Sequence, residues 1–128
     1  MNLFKFGDIT LHSGSTSNFK IDCDALSDED IHAIAQLLAV RLPAFRHVEG
    51  VPTGGLRLAE AMKWMKGPAP VYWPPDKPML LIVDDVLTTG QSMEEHRAGR
   101  PAIGAVIFAR GECPDWVTPL FTLTNEKE

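Results

Sequence analysis

The chain is poor in several things that would point to a class of protein. It has only two cysteines, Cys23 and Cys113, far apart and in no CxxC pattern, so neither a disulfide framework nor a cysteine-rich metal site is expected. No apolar run approaches the roughly 20 residues needed to cross a bilayer. The opening "MNLFKFGDIT" lacks the apolar stretch of a signal peptide, so a cytoplasmic location is expected. The formal net charge is −5, which argues against a broad nucleic-acid surface. No GxxxxGK[ST] occurs, which excludes a P-loop nucleotide site. There is no internal repeat and no low-complexity linker. His32, His47 and His96 show no ligand spacing and read as surface residues.

What remains is a 128-residue chain, 45% hydrophobic, of a size that suits one soluble domain. Phe4 to Ile21 reads as two short strands around the polar turn "HSGSTSN". Ser27 is a helix N-cap followed by Asp28, Glu29 and Asp30. Ile31, Ile34, Ala35, Leu38 and Leu42 recur at helical spacing, so a helix runs from Ser27 to Arg41 and stops before Pro43. Phe45 to Val48 is a candidate strand, Gly50 to Gly55 a loop, and Leu56, Ala59, Met62 and Met65 mark a second helix. The prolines around Val71 to Trp73 permit only a short strand.

Met79 to Val83 reads as a fully buried strand, apolar and unalternating. A helix starts from Gly90 and is stopped by Gly99 and Pro101. "AIGAVIFA" is another buried strand and "TPLFTL" one more. Strands separated by helices predict an α/β fold with a parallel sheet, in which ligands gather at the carboxyl ends of the strands. Both glycine-bearing loops, Gly50 to Gly55 and Asp84 to Ser92, fall at that edge.

The chemistry concentrates in "MLLIVDDVLTTGQS", Met79 to Ser92. Thr88, Thr89, Gly90 and Ser92 offer hydroxyls and a backbone that a phosphate can approach closely. Asp84 and Asp85 beside such a pocket would repel a phosphate. They make sense as acceptors for sugar hydroxyls or as part of a magnesium shell. The combination points to a sugar phosphate with a metal.

"LLIVDDVLTTGQS" resembles the binding signature of the type I phosphoribosyltransferases, which use phosphoribosyl pyrophosphate (PRPP) as ribosyl donor. The resemblance implies a compact phosphoribosyltransferase-type fold, with residues 1–26 as a small hood over an α/β core of residues 27–128. It implies that Asp84 and Asp85 face the ribose while Thr88, Thr89, Gly90 and Ser92 hold the 5′-phosphate. "VEGVPTGGLRLA" resembles the family's pyrophosphate loop, with Gly50, Thr53, Gly54 and Gly55 as the cradle. "FKFGDITLHSGSTSNFKID" resembles the hood of orotate phosphoribosyltransferases through Ile9, Leu11, Ser13, Gly14, Phe19 and Asp22, with His12 where that family has lysine. In "AVIFARGECPDWVTPLFTL", Arg110 corresponds to the residue that reads the base.

By this resemblance the ligands are PRPP, with magnesium bound through it, and a nucleobase, orotate favoured. His12, Ser13 and Arg110 would contact the base. The role implied is nucleotide and pyrimidine biosynthesis or salvage. The chain departs from the family in one respect. Catalytic members carry a mobile loop rich in Lys and Arg, and here the interval is "APVYWPPDKP", with four prolines and one basic residue, Lys77, the candidate catalytic cation. Two functions stay open: an active transferase, or a PRPP- or nucleotide-binding sensor without the lid. Arg57 reads as a helix surface residue, Trp64, Trp73 and Trp116 as core or interface, and "VYWPP" as a candidate homodimer contact.

Overall fold

The computed structural model describes residues 3–10, 16–66 and 72–123. They form two sheets. Strands β1 (Phe4–Thr10) and β2 (Thr16–Ile21) pair antiparallel, with a register shift between Phe6 and Ile9. The second sheet has four parallel strands in the order β3 (His47–Gly50), β4 (Leu80–Leu87), β5 (Ile103–Ala109), β6 (Val117–Thr122). Gly50 pairs with Val83, Leu87 with Ala109, and Ala109 with Thr122, so all four strands end on one edge.

Among the described residues, three α-helices flank this sheet. α1 (Asp28–Arg41) begins with a capping box: the Asp30 N–H donates to Ser27 Oγ at 3.0 Å, and the Ser27 N–H donates to Asp30 Oδ2 at 2.9 Å. Those bonds hold the Asp30 carboxyl below the usual range. α1 buries Ile31, Ile34, Ala35 and Leu38, and α2 (Leu56–Lys63) buries Leu58, Ala59 and Met62. Both pack on one face, against Leu81 and Val83 of β4 and Ile107 of β5. α3 (Gln91–Arg97) sends Met93 into a second cluster with Ile82, Leu87, Val106 and Val117. β4 and β5 are therefore covered on both sides, which is why "LLIV" and "AVIF" carry no polar alternation.

The helix, the parallel sheet and the two N-terminal strands follow the sequence expectations, with three corrections. The first core strand is His47–Gly50, two residues later than expected; Phe45 is buried in the approach to it. β4 does not stop at Val83 but continues through the acidic pair to Leu87, because pairing with β5 continues to Ala109. The loop is thus Thr88–Gly90 rather than Asp84 to Ser92. Tyr72 and Trp73 lie in no strand, and Val71 is outside the described residues. Pro74 and Pro75 lack N–H groups, and the chain turns there, with the Lys77 N–H on Pro74 O at 3.1 Å and Trp73 Nε1 on Lys77 O at 2.8 Å. No helix among the described residues is long and apolar enough to cross a membrane.

Candidate functional site

The carboxyl edge of the parallel sheet opens into a cleft of about 700 Å³. One wall is the loop from β3 to α2. The Val51 N–H donates to Val83 O at 2.9 Å and the Gly55 N–H to Val51 O at 2.8 Å, so the loop folds back on the end of β4. The Pro52–Thr53 peptide is cis. Thr53 and Gly54 line the cleft. Gly54 lies directly against the Asp85 carboxylate, whose Cγ is 2.6 Å from where a Cβ on Gly54 would stand. Gly50 and Gly55 are not at the surface of the cleft. They pack against each other beneath the loop, with the Gly55 carbonyl carbon 2.7 Å from a Cβ built on Gly50.

The floor is the end of β4. Asp84 is 7% exposed, and its Oδ1 accepts the Asp85 N–H at 2.8 Å. Asp85 Oδ1 in turn accepts the Val86 N–H at 2.7 Å. Burial, and then the adjoining Asp85 carboxylate, push the Asp84 carboxyl well above the ordinary range. Such a pair readily accepts hydroxyl donors or a cation, since either offsets the cost of holding two carboxylates together.

Beyond Leu87 the chain turns sharply. Gly90 has φ +85°, and Pro114 Cγ stands 3.5 Å from where its Cβ would be. Thr89 Oγ1 accepts the Gln91 N–H at 3.3 Å, and Gly90 O accepts the Glu94 N–H at 3.0 Å, starting α3. Thr88, Thr89, Gly90 and Ser92 all line the cleft. Arg110 closes the far end; its N–H donates to Leu87 O at 2.8 Å, tying the ends of β4 and β5 together, and burial lowers its guanidinium pKa.

Nine expected site residues therefore meet in one cleft: Thr53, Gly54, Asp84, Asp85, Thr88, Thr89, Gly90, Ser92 and Arg110. Lys77 is not among them. It precedes β4 at its amino end, on the opposite edge of the sheet. His12 and Ser13 lie outside the described residues.

The cleft also contains residues that the sequence reading passed over. Arg57, in the first turn of α2, lines it instead of lying on an outer helix face. Its position directly after the glycine loop was the available signal. Asp22, Cys23 and Asp24 enter from the end of β2, and Glu95 from α3. Burial, followed by Asp85, Asp22, Asp24 and Asp84, pushes the Cys23 thiol up to about 12, which disfavours the thiolate. The described lining carries five carboxylates against two guanidiniums, Arg57 and Arg110.

The Glu49, His96 and Arg100 side chains form a brace behind the cleft. Arg100 grips both Glu49 oxygens, at 2.9 and 2.8 Å, and His96 Nε2 lies 2.9 Å from Glu49 Oε1. Arg100 first, with His96, holds the Glu49 carboxyl down at about 2. His96 is thus engaged between β3 and α3, not the unengaged surface residue that its spacing suggested.

No family model and no curated protein matches the chain. Solved structures do. Orotate phosphoribosyltransferase from Aeropyrum pernix superposes with a TM-score of 0.69 at 25% identity, over 94% of this chain and 88% of that one. Leishmania donovani UMP synthase gives 0.70 at 21% identity, over 94% of this chain and 34% of that much longer one. Mycobacterium tuberculosis H37Rv orotate phosphoribosyltransferase gives 0.64 at 17% identity, over 94% and 89%. The chain has the type I phosphoribosyltransferase fold. Within that fold, the cleft lies at the carboxyl edge of the parallel sheet, lined by strand ends, by the loops that follow them and by the first turns of α2 and α3.

Proposed function

We propose that this cleft binds PRPP and that the protein transfers its phosphoribosyl group to a nitrogenous base, orotate being favoured by likeness. The observation that carries this reading is the meeting of three separate segments around one space. These are the loop at Thr53 and Gly54, the Asp84–Asp85 pair and the hydroxyl-rich turn from Thr88 to Ser92. A ligand with a diphosphate, a diol and a monophosphate has one group for each.

In this reading Asp84 and Asp85 accept hydrogen bonds from the ribose hydroxyls. Thr88, Thr89 and Ser92 donate to the 5′-phosphate, with Gly90 leaving room for it. The loop through Thr53 and Gly54 receives the diphosphate. The ribose C1–oxygen bond to diphosphate breaks, the bond from C1 to the base nitrogen forms, and the proton on that nitrogen is released. Arg110, at the end of β5, presents a planar fork suited to the polar edge of a base.

Among the described residues no three His, Cys, Asp or Glu side chains gather to hold a metal. An ion arriving on the ligand suits the acidic pair, because magnesium keeps its waters and takes one or two carboxylates together with substrate phosphates. When bound, it would offset the charge that builds on the departing diphosphate.

A second reading is supported by Lys77 lying on the far edge and by the acidic balance of the cleft: a sensor that binds PRPP without turnover. Calorimetry with PRPP and magnesium, followed by a pyrophosphate-release assay over a panel of bases including orotate, tests both. Release with any base supports the transferase, and tight binding without release supports the sensor. No binding of any ribose phosphate overturns both.

A further inference from the structure

We infer that Arg57 is the diphosphate-reading residue of this cleft, and that it exchanges its present partners on the hood side for the ligand. The inference rests on the PRPP reading above. A leaving diphosphate needs a cation near it, and Lys77 is on the wrong edge. The described lining offers only Arg57 and Arg110. Arg110 is at the end of β5, across β4 from the glycine loop. Arg57 follows that loop directly, in the first turn of α2, three residues beyond Gly54.

In the structure the guanidinium meets weak partners. Nη2 donates to Leu26 O at 2.9 Å and to Asp28 Oδ1 at 3.1 Å, and Nη1 to Cys23 O at 3.4 Å. The Arg57 side chain is 41% exposed and Asp28 is fully exposed, so solvent screens this pair heavily. A diphosphate is a stronger acceptor for a planar fork than two carbonyls and a screened carboxylate. Cys23 and Leu26 lie in the segment that leads from β2 into α1, and Asp28 is the first residue of α1. The same side chain therefore holds that segment when the cleft is empty and releases it when a diphosphate arrives, which would couple donor binding to the position of the hood.

The test compares Arg57→Gln and Arg57→Lys with the unaltered protein by calorimetry, using magnesium with PRPP, with pyrophosphate and with ribose 5-phosphate. Arg57→Gln is expected to weaken PRPP and pyrophosphate by about tenfold or more, the size of a lost charged hydrogen bond. Ribose 5-phosphate, which has no diphosphate, should stay within about twofold. Arg57→Lys keeps the charge without the fork and should show the same selectivity at about threefold; it decides the matter if the glutamine variant does not fold. Equal losses for PRPP and ribose 5-phosphate, or no loss for either, would overturn the role of Arg57. If the unaltered protein binds PRPP, that failure leaves the parent reading standing; if it does not, the parent reading itself fails.

Discussion

The two edges of the parallel sheet have opposite character. At the carboxyl edge, glycines bring backbone within van der Waals reach of backbone, and the described lining is five-sevenths acidic among its charged groups. At the amino edge lie prolines, Trp73 with Arg46 stacked 5.6 Å over its ring, Lys66 bonded to Arg46 O, and Lys77 in a closed turn. Both edges are cut from the same strands. What differs is turn chemistry: glycine opens a backbone to a ligand, while proline and a stacked aromatic fill and stiffen it.

The largest expected effect that would break this contrast is at Gly90. Gly90→Val forces a branched side chain into φ +85°, so stability should fall by about 1–2 kcal/mol and 5′-phosphate binding should vanish. Denaturant melts and ribose 5-phosphate titration check it; intact affinity in a folded variant would remove that turn from the site.

Next comes the pH dependence set by Asp84. Its carboxyl is raised to about 8, so below that pH hydroxyl donors or magnesium bind there only by displacing a proton. Affinity for PRPP should thus rise with pH, approaching about tenfold per unit, and level off above about 8. The same shift means that the empty fold loses stability as pH climbs from about 3.8 to about 8. Asp84→Asn should flatten both curves, and a variant with an unchanged pH profile would assign the titration elsewhere.

A smaller effect sharpens the comparison. Glu49 is held low, so its contribution is present above about pH 4.5 and lost as pH falls through about 2. The side chain is 39% exposed, so after screening Glu49→Gln should cost within about 1 kcal/mol near neutrality, and its acid limb should be shallower in urea melts. Smallest of all is Lys77→Ala. PRPP affinity should change by less than about twofold, because Lys77 belongs to the amino edge; a tenfold loss in titration would bring it to the cleft.

The sequence made the fold legible wherever periodicity or punctuation was strong. Ser27 and the spacing from Ile31 to Leu38 located α1, and the apolar runs of β4 and β5 announced a sheet covered on both faces. The acidic pair and the glycine turn located the cleft. What stayed hidden was non-local. A buried aspartate looks like a strand end, so β4 was expected to stop at Val83, whereas pairing with β5 carries it to Leu87. Arg57 lies on a helix whose periodicity does not tell a cleft-facing first turn from a solvent face. Glu49, His96 and Arg100 are far apart in sequence, and no local pattern connects them.

That Glu49 brace has a consequence for which molecules fit. Glu49 lies just before the Val51–Gly55 loop, while His96 is in the helix that follows the Thr88–Gly90 turn and Arg100 lies just beyond that helix. Strapping them together sets the jaws of a caliper before anything enters. If the cleft holds PRPP as proposed, a ligand with two anionic ends that match this fixed spacing would meet both loops at once, and a shorter one would meet only one of them.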